Sequence, residues 1–223
     1  MQNPDQIRGI FGAIAGRYDL ANHLLSGGLD FLWRGRAVRM VQAWQPRSIL
    51  DLATGSGDLA LALGKAMPDA RVVGADFCLP MLRVAARKGL RPLVAADGTR
   101  LPFADGSFDA VTVAFGLRNM ESWPGALREM ARVLRPGGHL LVLDFSRPRP
   151  PLAGPYRFYL HRVLPRVAGW LTGHRAGYEY LGASIEAFPA GSAMCALMRE
   201  NNLRAPRVLP LAAGIVSIYT AER

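Results

Sequence analysis

Between residues 48 and 143, short unbroken apolar runs alternate with stretches in which apolar residues return every three or four positions. The runs are too short for helices and rich in β-branched residues, so they predict strands, and the intervening stretches predict helices. Predicted strands cover Ser48 to Asp51 (SILD), Arg71 to Ala75 (RVVGA), Pro92 to Ala96 (PLVAA), Phe108 to Ala114 (FDAVTVA) and His139 to Leu143 (HLLVL). Helices are predicted from about Asp58 to Met67, over Met81 to Lys88 and over Pro124 to Leu134, the last closed by Pro136-Gly137-Gly138. Strand and helix in alternation give an α/β fold with a mostly parallel sheet. Near the end, Val208 to Leu211 and Ile215 to Tyr219 flank Ala-Ala-Gly and predict an antiparallel hairpin, which brings the sheet to seven strands.

The ends of the chain differ from this middle. Tyr18 to Trp44 carries helical spacing broken at Ser26-Gly27-Gly28, which predicts two helices forming a cap. A single domain results: a helical cap (1–47), a nucleoside-binding core (48–146), a basic aromatic cap (147–190) and a closing helix and hairpin (191–223). Its 223 residues, half of them apolar, suffice for one core and exclude a disordered or collagen-like chain. Two isolated cysteines, Cys78 and Cys195, give no metal-binding spacing and no disulfide framework, which suits a reducing cytoplasm and two inert thiols. No apolar run approaches the ~18 residues of a membrane span, and MQNPDQIRG is too polar for a signal peptide. A cytoplasmic protein, at most attached to a membrane face, is expected.

Charge sharpens the partner question. Lysine and arginine number 27 against 17 acids, for a formal net charge of +10. Nucleic acid and an anionic membrane are the two candidate partners. From Arg147 to Tyr178 there are six arginines, two histidines and several aromatics without one acid. Leu152, Tyr156, Tyr159, Leu160, Val163, Val167, Trp170 and Leu171 recur there at helical spacing, a composition suited to a membrane interface. No appended nucleic-acid-binding module is visible, so nucleic acid is not expected.

The first strand runs into Ala53-Thr54-Gly55-Ser56-Gly57 and a helix start, and an acid, Asp76, follows the next strand 19 residues beyond Gly57. Glycines at such a turn let the backbone approach a nucleoside, and the acid can accept hydrogen bonds from ribose hydroxyls. The pattern also fits a dinucleotide loop. However, Asp51 at the strand end and Asp58 in the first helical turn would repel a pyrophosphate, which needs the positive helix end to itself. S-adenosylmethionine, with an ammonium and a sulfonium, suits acids instead. Asp97-Gly98 after the third strand adds an acceptor for an adenine amino group. Acids at three successive strand ends, Asp51, Asp76 and Asp97, with Phe77 beside the second, point to a class I methyltransferase of Rossmann-like fold.

At the level of motifs the chain resembles the C-methyltransferases of ubiquinone and menaquinone biosynthesis. The resemblance rests on YDLANHLLSGGLDFLWR (18–34), DLATGSGD (51–58), LPFADGSFDAVTVAFGLRNM (101–120), ALREMARVLRPGGHLLVLDFSRP (126–148) and YEYLGASIEAFP (178–189). It implies methyl transfer from S-adenosylmethionine to a ring carbon of a polyprenylated quinol, with naphthoquinol and benzoquinol both open. It places cofactor contacts at Ser56, Asp76, Asp97, Gly98 and Ala114. Alanine at 114 replaces a frequent hydroxyl, Ala21 stands where methionine is common, and Asn201-Asn202-Leu203 where the family tends towards Ala-Gly-Phe.

Arg118 and Asn119 follow the fourth strand, where Arg118 would stabilise a developing phenolate and Asn119 orient an oxygen. Tyr18, Asp19 and Asn22, one helical turn apart, would close over the ligand, with Asp19 or His23 relaying a proton. Tyr178, Tyr180 and Ser184 would line the quinol pocket. No metal is expected. His139 reads as an ordinary strand residue. Two rivals stay open, an RNA methyltransferase of the same fold and a non-catalytic S-adenosylmethionine-binding protein.

Overall fold

Continuous apolar runs, which can be buried on both faces, form the central strands of one sheet in the computed structural model, which describes residues 26–148, 150–163, 166 and 175–223, with backbone alone for 175–179. The first helix, α1 (Leu29–Ala43), leads to β1 (Ser48–Leu52), α2 (Asp58–Ala66), β2 (Arg71–Asp76), α3 (Leu79–Arg87), β3 (Leu93–Ala95) and β4 (Phe108–Ala114). A single 3-10 turn (Leu117–Asn119) precedes α4 (Trp123–Val133) and β5 (Leu134–Phe145). Then follow α5 (Ala153–Phe158), which continues as a wider π-type turn (Tyr159–Val163), α6 (Arg175–Ala187), α7 (Ser192–Glu200), β6 (Arg204–Leu211) and β7 (Val216–Glu222).

Among the described residues the sheet has seven strands in the order β3-β2-β1-β4-β5-β7-β6. β1 to β5 are parallel, and β7 runs antiparallel to both β5 and β6. All seven expected strands are therefore present, the C-terminal hairpin included. β5 begins earlier than expected. Pro136-Gly137-Gly138 does follow the end of α4, but it sits within β5, where the register against β4 shifts between Phe108 and Ala110. α4 starts on Ser122, whose hydroxyl accepts a hydrogen bond from the Gly125 amide, with Pro124 in the first turn.

Two apolar layers flank the sheet. One packs Leu50, Val111 and Leu140 with Leu127 and Met130 of α4 and Met198 of α7. The other packs Ile49, Ala110 and Leu141 with Leu59 and Leu63 of α2 and Trp33, Ala37 and Val41 of α1. The helix expected after the Ser-Gly-Gly break thus covers a sheet face along most of its length. Trp44 at its end stacks on His139, ring centroids 4.6 Å apart, which accounts for that histidine structurally. The strand order reverses between β1 and β4, and beyond their carboxyl ends a crevice opens, as in other doubly wound sheets.

Candidate active site

Two loops with strained backbone build the crevice. After β1, Ala53 has φ +51°, and after β4, Phe115 has φ +57°, a region that costs a non-glycine residue about 1–3 kcal/mol. Between them Gly116 is held so close that a methyl group on it would overlap Ala53 Cβ. Gly57 is constrained from the other side, since a Cβ there would lie 2.9 Å from Leu90 and 3.2 Å from Ala85, and its φ is +87°. Gly116→Ala is expected to destabilise the fold by about 1–3 kcal/mol through overpacking, and to weaken ligand binding by spreading the two loops. Urea unfolding and calorimetry on the variant check both effects.

The cleft these loops enclose has an empty volume of ≈ 930 Å³, open solvent at its mouth included. Its acidic lining residues are Asp76, Asp97 and Glu121; apolar and aromatic walls come from Phe77, Met81, Phe115 and Met120. Among the described residues, neither lysine nor arginine lines it. Of the expected cofactor residues, Gly55, Asp76, Phe77, Asp97, Gly98 and Ala114 stand on the wall, and Asn119 joins them from the 3-10 turn.

Asp76 is almost fully buried. Its carboxylate accepts hydrogen bonds from the Gly55 and Cys78 amides, each at 2.8 Å, so one side chain fixes both the glycine loop and the turn after β2. Burial raises its pKa, against backbone hydrogen bonds from Cys78, Gly55 and Phe77 that hold it down. Asp97 is exposed and takes both the amide and the hydroxyl of Thr99 on one carboxylate oxygen, each at 2.8 Å. It is a turn residue that also faces the cleft.

Other expected residues are placed differently. Asp51 lies under the loop, off the wall, where it accepts hydrogen bonds from Thr54 Oγ1 at 2.7 Å and Thr112 Oγ1 at 2.6 Å. Ser56 is buried within the loop and is also off the wall, and Gly57 serves the close approach to α3. Asp58 pairs with Lys88 at 2.6 Å and has Arg34 at 3.8 Å. The Asp58 charge is thus paired outside the cleft wall, and the Asp51 carboxylate sits beneath the loop. The carboxylates that reach the wall among the described residues are those of Asp76, Asp97 and Glu121. Glu121, Met120 and Gly116 were not among the expected residues.

Burial pushes the Asp51 carboxyl up to about 6, opposed by the bonds from Thr112 and Thr54 and by the positive charge of Arg34. The folded state therefore holds this proton more tightly than the unfolded chain does. Stability from this group is present at low pH and is lost as pH rises through about 6, by an amount on the order of 3 kcal/mol. Relative to Asp51→Asn, the unliganded protein should gain stability when pH falls from neutrality to below this pKa, measured as the shift in urea midpoint.

Arg118 is buried and does not line the cleft. Its Nη1 donates to Asp144 Oδ1 at 2.7 Å and to the Phe115 carbonyl at 2.5 Å, and its guanidinium carbon lies 5.1 Å from the Phe145 ring centroid. Contact with a phenolate is not what this placement offers; the guanidinium holds the strained Phe115 peptide. Asn119 Nδ2 reaches the same carbonyl at 3.4 Å, and Tyr180 Oη donates to Asn119 Oδ1 at 3.1 Å, so α6 is tied to the cleft through Asn119. Ser184 is buried and donates to Leu181 on its own helix, which takes it out of the cleft. Tyr18, Asp19, Asn22 and His23 lie outside the described residues, as does the side chain of Tyr178. Cys78 and Cys195 are buried thiols outside any disulfide.

Comparison with known proteins adds kinship to this geometry. The chain is 48% identical over 220 residues to the demethylmenaquinone methyltransferase of Thermus thermophilus, covering 96% of this chain and 100% of that protein. It is 46% identical over 222 residues to the ubiquinone/menaquinone biosynthesis C-methyltransferase UbiE of Syntrophotalea carbinolica, covering 97% and 93%. Among solved structures, an S-adenosylmethionine-dependent methyltransferase of Thermotoga maritima, described as a possible histamine N-methyltransferase, matches in fold with a TM-score of 0.69 at 17% identity, over 96% of this chain and 98% of that one. Human N-acetylserotonin methyltransferase in complex with S-adenosylmethionine matches with a TM-score of 0.61 at 15% identity, over 88% and 54%. With residues 1–223 all matched, the chain belongs to the ubiE/COQ5 methyltransferase family.

Proposed function

We propose that this enzyme methylates a ring carbon of a polyprenylated quinol in menaquinone or ubiquinone biosynthesis, with S-adenosylmethionine as methyl donor. The observation that carries the reading is a cleft that, among the described residues, has three acids, no lining cation and an aromatic wall, in a chain whose full length matches relatives named for that step. Such a wall suits a cationic nucleoside and disfavours a pyrophosphate.

When bound, S-adenosylmethionine supplies a methyl group on a positively charged sulfur, open to in-line displacement by an electron-rich ring carbon. Asp76 would hold the ribose, Asp97 and Gly98 the adenine edge, and the Gly55 loop with Ala114 the methionine portion. The quinol is the acceptor form because oxygen lone pairs enrich its ring, whereas the quinone ring is electron-poor. Asn119, on the wall and oriented by Tyr180, is placed to hold a ring hydroxyl. The strained Phe115 peptide, fixed by Arg118, presents its ring to the acceptor side, and the apolar walls exclude water, so positioning supplies much of the rate.

A polyprenyl tail keeps the substrate in a bilayer, so we place the enzyme at the cytoplasmic face of the membrane, attached through the basic segment 147–178. No single helix among the described residues is long and apolar enough to cross a membrane. Transfer of labelled methyl from S-adenosylmethionine to a demethylmenaquinol, or to a polyprenyl benzoquinol that still lacks the ring methyl, tests the reaction. An RNA enzyme would instead label RNA, and a non-catalytic binder would label nothing. Attachment predicts flotation with anionic vesicles that falls as salt is raised, because the arginine contribution is screened within a Debye length of ~10 Å at 0.1 M salt.

A further inference from the structure

α1 runs against the parallel strands: its end leads into the start of β1, with Trp44 on His139, while Trp33 near its start lies 6.2 Å from the Phe115 ring beyond β4. At a rise of ~1.5 Å per residue, the first turn of α1 therefore projects a few ångströms past the strand ends, on the side where the cleft opens. Leu29 and Leu32 share a face of that turn and are 43% and 67% exposed. Across the same end of the sheet, Leu160 and Tyr156 pack on Phe145 and Ile185, which seats α5 and its π-type turn over β5. Phe158, Tyr159 and Val163 then face outward, Phe158 at 65% exposure. Between the two apolar edges runs a row of aromatic rings, Trp33 to Phe115 to Phe145, with centroids 6.2 and 5.0 Å apart, and Phe115 belongs to the cleft wall.

We infer that these two edges form one lipid-facing rim: Leu29 and Leu32 on one side, Phe158, Tyr159 and Val163 on the other, seated in an anionic bilayer. The half-buried rings of Phe145 and Phe115 give a prenyl tail an apolar route from the bilayer to the cleft. The inference rests on the quinol reading above and adds a second contact, on α1, to the basic segment. Charge complementarity selects the occupant. Arg147, Arg157, Arg162 and Arg166 are exposed on or beside the second edge. Glu186, which pairs with Arg157 at 3.0 Å and His161 at 2.9 Å, is the acid facing them among the described residues. Exposed apolar side chains beside arginines match the chemistry of an acidic headgroup layer over hydrocarbon, whereas an apolar protein partner would not need the arginines.

The test uses the whole protein and vesicles of phosphatidylcholine with phosphatidylglycerol, free of quinone. Leu29→Gln with Leu32→Gln, and separately Phe158→Gln with Val163→Gln, should each weaken vesicle binding about tenfold or more, from lost apolar insertion. Arg162→Gln with Arg166→Gln should instead reduce the salt-sensitive part. S-adenosylmethionine affinity and turnover of a short-tailed, water-soluble quinol should stay at parental values in the two apolar pairs, while turnover of a long-tailed quinol in vesicles falls. Parental vesicle binding by both apolar pairs overturns the rim. So does a lowered melting temperature with unchanged lipid binding, which means that protein covers the patch, and so does a change of sedimentation coefficient, which means that a second copy does. Absence of turnover on every quinol, with vesicle binding still lost in the variants, defeats the quinol reading and leaves the lipid rim standing.

Discussion

Asp76→Ala is expected to weaken S-adenosylmethionine binding at least 100-fold (on the order of 3 kcal/mol at ~1.4 kcal/mol per tenfold). Three effects act together on this one carboxylate. A charge-assisted hydrogen bond to a ribose hydroxyl contributes about 1.5–3 kcal/mol, and losing it inside a cleft costs more than at the surface. The Gly55 and Cys78 amides, now bound at 2.8 Å, lose their acceptor, so the glycine loop and the turn after β2 lose the tie between them. The cleft also loses one of the three acidic residues that line it among the described residues. Asp97→Ala should cost no more than about tenfold, because Asp97 is exposed and already commits an oxygen to Thr99. Titration calorimetry of both variants checks the ranking. Equal losses would mean that burial does not set the strength of these contacts, and tight binding by Asp76→Ala would remove the cofactor assignment from the end of β2.

The strands were legible because each is an apolar run bounded by polar or glycine positions, and their parallel order followed from the helices between them. The direction of an acidic side chain was not. Asp51 and Asp76 each follow an apolar run at the carboxyl end of a strand, yet β1 continues to Leu52 and Asp51 pairs in register with Gly74 and Thr112, which puts its carboxylate under the loop beside Thr112. Asp76 is the last residue of β2 and reaches the cleft. One residue of register separates a structural acid from a lining one, and apolar patterning does not carry that information. Asp144 carries the same signal in the sequence, following HLLVL as Asp51 follows SIL. Its partner Arg118 stands in the loop that the sequence points to, but burial against Asp144 turns its guanidinium away from the phenolate contact expected of it. Glu121 and Met120 had no signal beyond lying after the fourth strand, since only the 3-10 turn brings them to the wall.

Breaking the Arg118 and Asp144 pair should produce the largest loss of stability of any single substitution near the site. Asp144 is fully buried and Arg118 nearly so, so Arg118→Ala leaves a carboxylate without its cation in the interior, an effect of about 3–5 kcal/mol. For a chain of this length that corresponds to a fall in melting temperature of roughly 10 °C. The Phe115 carbonyl loses its 2.5 Å donor as well, and a residue at φ +57° has less to hold it there. Turnover should therefore fall by two orders of magnitude or more, with a smaller change in S-adenosylmethionine affinity, because the donor-side contacts at Gly55 and Asp76 are not touched. A variant carrying both Arg118→Met and Asp144→Leu separates the two effects. It replaces the buried pair by apolar side chains, which is often neutral for stability, so its melting temperature should return towards the parental value while turnover stays low. Recovery of both would reduce the pair to a device for stability. Recovery of neither would mean that the guanidinium and the carboxylate do more separately than as a pair, and parental turnover in Arg118→Ala itself would remove the clamp on Phe115 from the mechanism.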